Sequence, residues 1–126
     1  MVMKINSYRD LIVWQKAMEL VKRTYATIAI LPKEEKYALA DQMRRCVVSI
    51  PSNIAEGYER NSSKEYIHFL SIANGSKAEL VTQLEICKML GYVNDITELV
   101  SLCDEIGKII NSIIKKIGEK EAGSRS

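Results

Sequence analysis

Apolar residues return along this chain at helical spacing from one end to the other, and strand-like alternation is nearly absent. Four amphipathic segments follow. The first is introduced by Ser7-Tyr8-Arg9-Asp10, a capping-box pattern, and its expected inward stripe is Leu11, Trp14, Met18, Val21, Tyr25 and Ile28. Leu31-Pro32 closes it, because proline disfavours helical geometry in the residue before it. The second is expected to start near Glu34–Lys36, with Leu39, Met43, Cys46, Ile50 and Ile54 as its core stripe. A second capping box, Ser62 to Glu65, opens the third, which carries Tyr66, Phe69, Leu70, Ala73, Leu80, Leu84 and Cys87 inward and stops at Gly91. Asn94 or Asp95 caps the fourth, whose seam is Ile96, Leu99, Cys103, Ile106, Ile110, Ile113 and Ile117.

Short connections between four such helices predict an all-α fold, an antiparallel up-down four-helix bundle. Residues 1–118 form one domain in this reading, and the polar stretch 119–126 is expected to be a disordered tail. The second helix contains Pro51, yet its apolar spacing runs straight through that position. The pattern therefore predicts a kinked helix, with the Val47 carbonyl deprived of its usual donor and Ser49 and Ser52 placed to help.

That helix is organised on more than one face. Gln42, Arg45, Ser49, Asn53, Glu56 and Arg60 form a polar stripe. It reads either as a ligand site or, preferably, as a structural hydrogen-bond and ion-pair network joined by Glu79 from the third helix. A third face holds Tyr37, Val48, Pro51 and Ala55, and the third helix has Ile72, Ile86 and Leu90 off its main stripe. A helix apolar beyond one stripe is buried on more than one side, so these residues are expected at the kink and at a subunit contact. Packing within one subunit is the alternative.

Composition narrows the function classes. The net charge is only +2, unevenly spread: residues 1–64 carry 11 Lys/Arg against 7 Asp/Glu, and residues 65–126 carry 7 against 9. Cys46, Cys87 and Cys103 lie far apart at apolar helical positions, which suits reduced thiols in a cytoplasmic protein. No signal-peptide pattern opens the sequence and no apolar run reaches the length of a membrane span. Glu65 and His68 match one half of a di-iron motif, but that chemistry needs it twice, with further carboxylates. No phosphate loop or nucleophile–base set is present either, so neither enzymatic activity, a metal nor a cofactor is expected.

Nucleic-acid binding survives this filter. Arg9, Lys16 and Arg23 are seven residues apart and share one outward face, about 10 Å between neighbours, compatible with a row of phosphate contacts. Arg44, Arg60 and Lys64 add charge around the second helix and the following turn. An ordinary solvated face is the alternative. Repetition of this modest patch around an oligomer multiplies its field.

The stretches "DLIVWQKAMEL" (10–20), "LPKEEKYALADQMRRCVVSIPSNIAEGYER" (31–60), "FLSIANGSKAEL" (69–80) and "LGY" (90–92) resemble the four-helix-bundle family of 23S rRNA intervening-sequence proteins. The combination of "VWQKA", "SIPSNIAEG" and "GSKAEL" carries the resemblance over residues 8–93. It implies a kinked second helix and a ring-shaped homopentamer. The family also takes in the accessory variability proteins of diversity-generating retroelements. Those strongly basic relatives bind a reverse transcriptase and nucleic acid, so RNA, DNA or such a protein are the partners the resemblance implies. The resemblance matches Gln42, Arg45 and Ser49 through Gly57 to family positions, which are read as architectural. The expected function is a non-catalytic oligomeric accessory protein associated with nucleic acid. The alternative is a protein-interaction adaptor that does not touch nucleic acid.

Overall fold

The computed structural model describes residues 4–125, and all of its regular structure is helical. Helix α1 spans Ile12–Ile28, α2 Leu39–Tyr58, α3 Ser63–Met89 and α4 Thr97–Arg125. One core cluster joins all four. Around it, α2 packs against α1 and, most extensively, α3, while α4 packs against α3 and α1.

The stop and start signals act much as the sequence suggests. Ser7 Oγ accepts the Arg9 N–H at 3.2 Å and the Asp10 carboxylate accepts the Ser7 N–H at 3.2 Å. That box opens a short 3-10 turn, Tyr8–Asp10, and α1 begins just beyond it. Ser62 Oγ accepts the Glu65 N–H at 3.2 Å and caps α3. Gly91, at φ +78°, ends α3 in a conformation that costs glycine little. The Gly91 N–H then reaches the Lys88 carbonyl at 3.0 Å, and the Tyr92 N–H reaches that of Cys87 at 2.9 Å. The Asp95 carboxylate accepts the Thr97 N–H at 2.9 Å where α4 starts, and the Thr97 side chain, then this N–H, hold Asp95 below the usual carboxylate range.

Three expectations need correction. Helix α2 begins at Leu39 rather than near Glu34–Lys36; an isolated 3-10 turn occupies Lys33–Glu35, and the non-helical backbone of Ala38 separates the two. Tyr37 therefore precedes the helix, is 85% exposed and stands apart from Val48, Pro51 and Ala55. The stretch after Glu119 continues α4 as far as Arg125, since extending a formed helix through residues such as Glu, Lys and Ala needs no new nucleus. Ser126 lies outside the described residues.

The third correction is the most informative. The buried stripe of α1 is Val13, Ala17, Leu20, Thr24 and Ile28. Of the expected stripe only Ile28 is fully buried. Leu11, Trp14 and Val21 are half-buried, and Met18 and Tyr25 are each 43% exposed. Helix α1 carries two neighbouring apolar stripes, and the smaller side chains Ala17 and Thr24 occupy the bundle interior. The core stripes expected of α2, Leu39 to Ile54, and of α4 through Ile110 are buried as read.

A close approach fixes how α2 meets α3. A Cβ on Gly57 would lie 2.8 Å from Phe69 Cβ and 3.3 Å from the Tyr66 carbonyl oxygen, so glycine permits this crossing. Pro51 lies buried inside α2, where it has no N–H to give the Val47 carbonyl. Side-chain donors serve the carbonyls around that gap: Ser49 Oγ to Cys46 at 2.8 Å, Ser52 Oγ to Val48 at 2.8 Å and Asn53 Nδ2 to Ser49 at 2.7 Å.

Candidate functional site

The basic stripe of α1 faces carboxylates. Lys16 Nζ lies 2.7 Å from Glu105 on α4. Arg23 pairs with Glu19 at 3.0 Å and with Glu98 at 3.3 Å, and the Glu19 bond raises its pKa further. These groups line an open groove between α1 and α4 in which three carboxylates meet two cations, so the groove is not a positive surface. Arg44 donates to the Lys36 carbonyl at 3.1 Å and stands 4.0 Å from Asp41. Arg60 pairs with Glu56 at 2.6 Å and lies over the Phe69 ring. Arg9 and Lys64 are exposed and form no ion pair among the described residues; Arg9 instead lies 4.7 Å from the centre of the Tyr8 ring. The six candidate cations do not converge on one face.

The polar stripe of α2 divides into separate pieces. Ser49 Oγ and Ser76 Oγ are 2.6 Å apart, and the Cys46 thiol donates to the Ser76 carbonyl at 2.9 Å. Burial, then the hydrogen bond to Glu79 at 3.5 Å, push that thiol up to about 12, so it stays protonated and inert. Arg45 turns outward, 81% exposed on its side chain, to Asp41 at 3.3 Å. Glu56 is taken by Arg60, and Gln42 is exposed. Sequence reasoning missed Gln83. It is only 7% exposed, its Oε1 has no hydrogen-bond partner among the described residues, and it lines the groove between α2 and α3 with Arg45, Ser49 and Glu79. Its position one turn after Glu79, on the same side of α3, was the available signal.

A continuous apolar face runs along α1 and α2 on the other side of α2. Trp14, Met18 and Val21 from α1 meet Val48, Pro51 and Ala55 from α2 around a shallow depression of about 340 Å³. Tyr8 packs edge-on against Trp14 with ring centres 5.4 Å apart, and Tyr25 extends the face beside Val48. Met18, Tyr25 and Val48 are each more than two-fifths exposed. Here the α2 face expected at a contact joins the α1 stripe mistaken for core.

The sequence pattern of the family described as 23S rRNA-intervening sequence protein matches residues 9–112. The chain belongs to that family. The match covers α1, α2 and α3 in full and about the first half of α4, so the apolar face, the α2–α3 groove and the paired charges all fall inside it. A crystal structure from the S23 ribosomal protein family, of a Bacteroides thetaiotaomicron protein with unknown function, is similar at a TM-score of 0.76 and 28% identity. The alignment covers 82% of this chain and 99% of that one. No curated protein matches the chain.

Cys103, like Cys46, is driven upward by burial, to about 11. His68 packs edge-on against Phe69, and no group of three or more His, Cys, Asp or Glu able to hold a metal occurs among the described residues. No helix among the described residues is long and apolar enough to cross a membrane.

Proposed function

We propose that this protein is a non-catalytic, self-assembling helical scaffold whose α1–α2 apolar face is buried against another copy of itself. The carrying observation is the contiguity of Trp14, Met18, Val21 and Tyr25 with Val48, Pro51 and Ala55 on one partly exposed face. Isolated apolar residues on a surface need no explanation, but a continuous strip of aromatic and methionine side chains is the composition of an interface core. A closed ring of five copies is the assembly that the family resemblance implies, and RNA, DNA, a reverse transcriptase or another protein would be its client. Buried, protonated cysteines suit a reducing cytoplasm and offer no nucleophile.

The antiparallel up-down course of the helices belongs to this reading. Partners descend along α4 as they ascend along α1, Lys16 with Glu105 and Arg23 with Glu98. The same order relates α2 to α3, where Met43 meets Cys87 and Ser49 meets Ser76. A bend at Pro51 belongs to it too, supported by the missing N–H and by the side-chain donors clustered there.

Light scattering on purified protein tests the proposal. The wild type is expected to be oligomeric, and Met18→Asp with Val48→Asp to be a folded monomer, since both positions are accessible in the single chain. A monomeric wild type would sink the scaffold reading.

Direct binding of nucleic acid is the second reading, favoured by the exposed cations Arg9 and Lys64, which no carboxylate neutralises among the described residues. Anisotropy titration of labelled RNA and DNA at two salt concentrations decides it. Affinity that falls steeply with salt and is lost in Arg9→Glu with Lys64→Glu supports phosphate recognition. No binding at low salt removes it and leaves the protein-adaptor role.

A further inference from the structure

Arg45 and Glu79 face one depression between α2 and α3 without pairing to each other. Its volume is about 330 Å³, and Gln42, Ser49 and Gln83 complete its polar lining. The base is fixed. Ser49 Oγ and Ser76 Oγ are 2.6 Å apart, and the Cys46 thiol is bound to the Ser76 carbonyl at 2.9 Å, so α2 and α3 are pinned together beneath it. The charged arms above are open. Arg45 meets Asp41 through its Nε at 3.3 Å, and its terminal N–H groups make no hydrogen bond among the described residues. Glu79 forms no ion pair there and takes only the 3.5 Å contact from the Cys46 thiol.

The charges around the depression balance, but they are set apart. Asp41 stands 4.0 Å from Arg44 and 3.3 Å from Arg45, so two guanidinium groups share one carboxylate, and Glu79 offsets the remaining positive charge. A simple anion drawn to Arg45 meets Glu79, and a simple cation drawn to Glu79 meets Arg45. Each gains at one wall and loses at the other. A ligand that carries both charges gains at both, and the guanidinium fork matches a carboxylate in shape. A metal ion is poorly served by one carboxylate beside a protonated thiol. The volume lies at the small end of ligand pockets and leaves room for a short side chain only.

We infer that the α2–α3 groove binds a small zwitterion of the amino-acid class, its carboxylate on the terminal N–H groups of Arg45 and its ammonium on Glu79. Both arms stand in solvent, with the Arg45 side chain 81% exposed, so each contact contributes modestly and binding is in the millimolar range. The site needs no second copy and goes beyond the scaffold reading. Arg45 and Ser49 also border the apolar face beside Tyr25 and Val48, so oligomer mass must be followed alongside binding.

Nitrogen–proton correlation NMR on the full chain tests it, with L-alanine, propionate and ethylammonium as probes. Propionate lacks the ammonium of alanine, and ethylammonium lacks its carboxylate. Alanine is expected to shift the Arg45 Nε–H and Gln42 side-chain signals saturably, and each half-ligand to bind about fivefold more weakly. Arg45→Gln is expected to lose the responses to alanine and propionate while keeping the weak one to ethylammonium. Glu79→Gln is expected to do the reverse, losing alanine and ethylammonium and keeping propionate. Both positions are exposed, so the remaining signals should stay in place and report an intact fold. No saturable shift by about 100 mM alanine would overturn the assignment. So would propionate that binds as tightly as alanine, or variants that respond to all three probes like the wild type. Light scattering on the same samples completes the test: a response lost only where oligomer mass has also changed would overturn the groove as the site.

Discussion

Helix α1 carries two apolar stripes that differ by about one residue in phase, and they have opposite fates. Val13, Ala17, Leu20, Thr24 and Ile28 face the bundle interior. Trp14, Met18, Val21 and Tyr25 are bulkier, and they lie half-buried or exposed along α2. Size and hydrophobicity therefore do not tell which stripe is the core. In a bundle this narrow, helices approach closely, and small side chains such as Ala17 allow it; the large aromatic ones are left where a second surface can use them. On this view the second stripe has its own purpose, assembly, and it should be separable from folding.

The sharpest separation comes from truncating one residue in each stripe. In the Met18→Asp/Val48→Asp background, expected to be monomeric, Leu20→Ala should destabilise the fold by about 2–5 kcal/mol in denaturant unfolding, because Leu20 is fully buried. Met18→Ala, made in the wild type, should leave single-chain stability within about 0.5 kcal/mol while weakening assembly, since nearly half of Met18 is already in water. Equal losses of stability at both positions would erase the distinction between the stripes.

Much of this was legible in the residues. The capping boxes at Ser7 and Ser62, the stop at Gly91 and the core stripes of α2 and α4 are set by local chemistry, and local chemistry is what a sequence displays. The α1 stripe was misread because two apolar faces of similar period compete there, and only the position of α2 decides between them. The surroundings of the candidate basic patch were hidden for a related reason. Lys16 and Arg23 share a face, as their spacing says, but Glu98 and Glu105 arrive opposite them from about eighty residues away. The polar stripe shows the same thing: Arg45 finds Asp41 one turn back instead of crossing to Glu79. Gly57 gave no hint of how closely it meets Phe69 Cβ. Long-range partners have no signature in a single chain.

A subtler prediction probes the buried stripe alone. Thr24 is completely buried and its hydroxyl has no partner among the described residues. Thr24→Val keeps the shape and removes the unmet polar group, so it should raise single-chain stability by about 1 kcal/mol, read as a higher denaturant midpoint with an unchanged slope. Oligomer mass should not respond. A loss of stability would mean that the hydroxyl has a partner after all, such as a buried water.

The smallest effect is expected on the third face of α1, where Lys16 and Arg23 meet the acids of α4. Lys16→Ala removes a 2.7 Å pair whose two side chains are about one-third and one-half exposed. Pairs in that much solvent contribute about 0–1 kcal/mol, since side-chain ordering and hydration offset most of the attraction. The loss should therefore be a few tenths of a kcal/mol at low salt and should vanish near molar salt, where charges a few ångströms apart are screened. The sign also matters for the comparison. Glu19, Glu98 and Glu105 outnumber Lys16 and Arg23 in this groove, so removing the lysine makes it more negative and should weaken any phosphate binding there. If Lys16→Ala leaves both salt-dependent stability and nucleic-acid affinity unchanged, this face of α1 is ordinary solvated surface. The assembly face on α1 and α2 would then be the part of the helix that carries function.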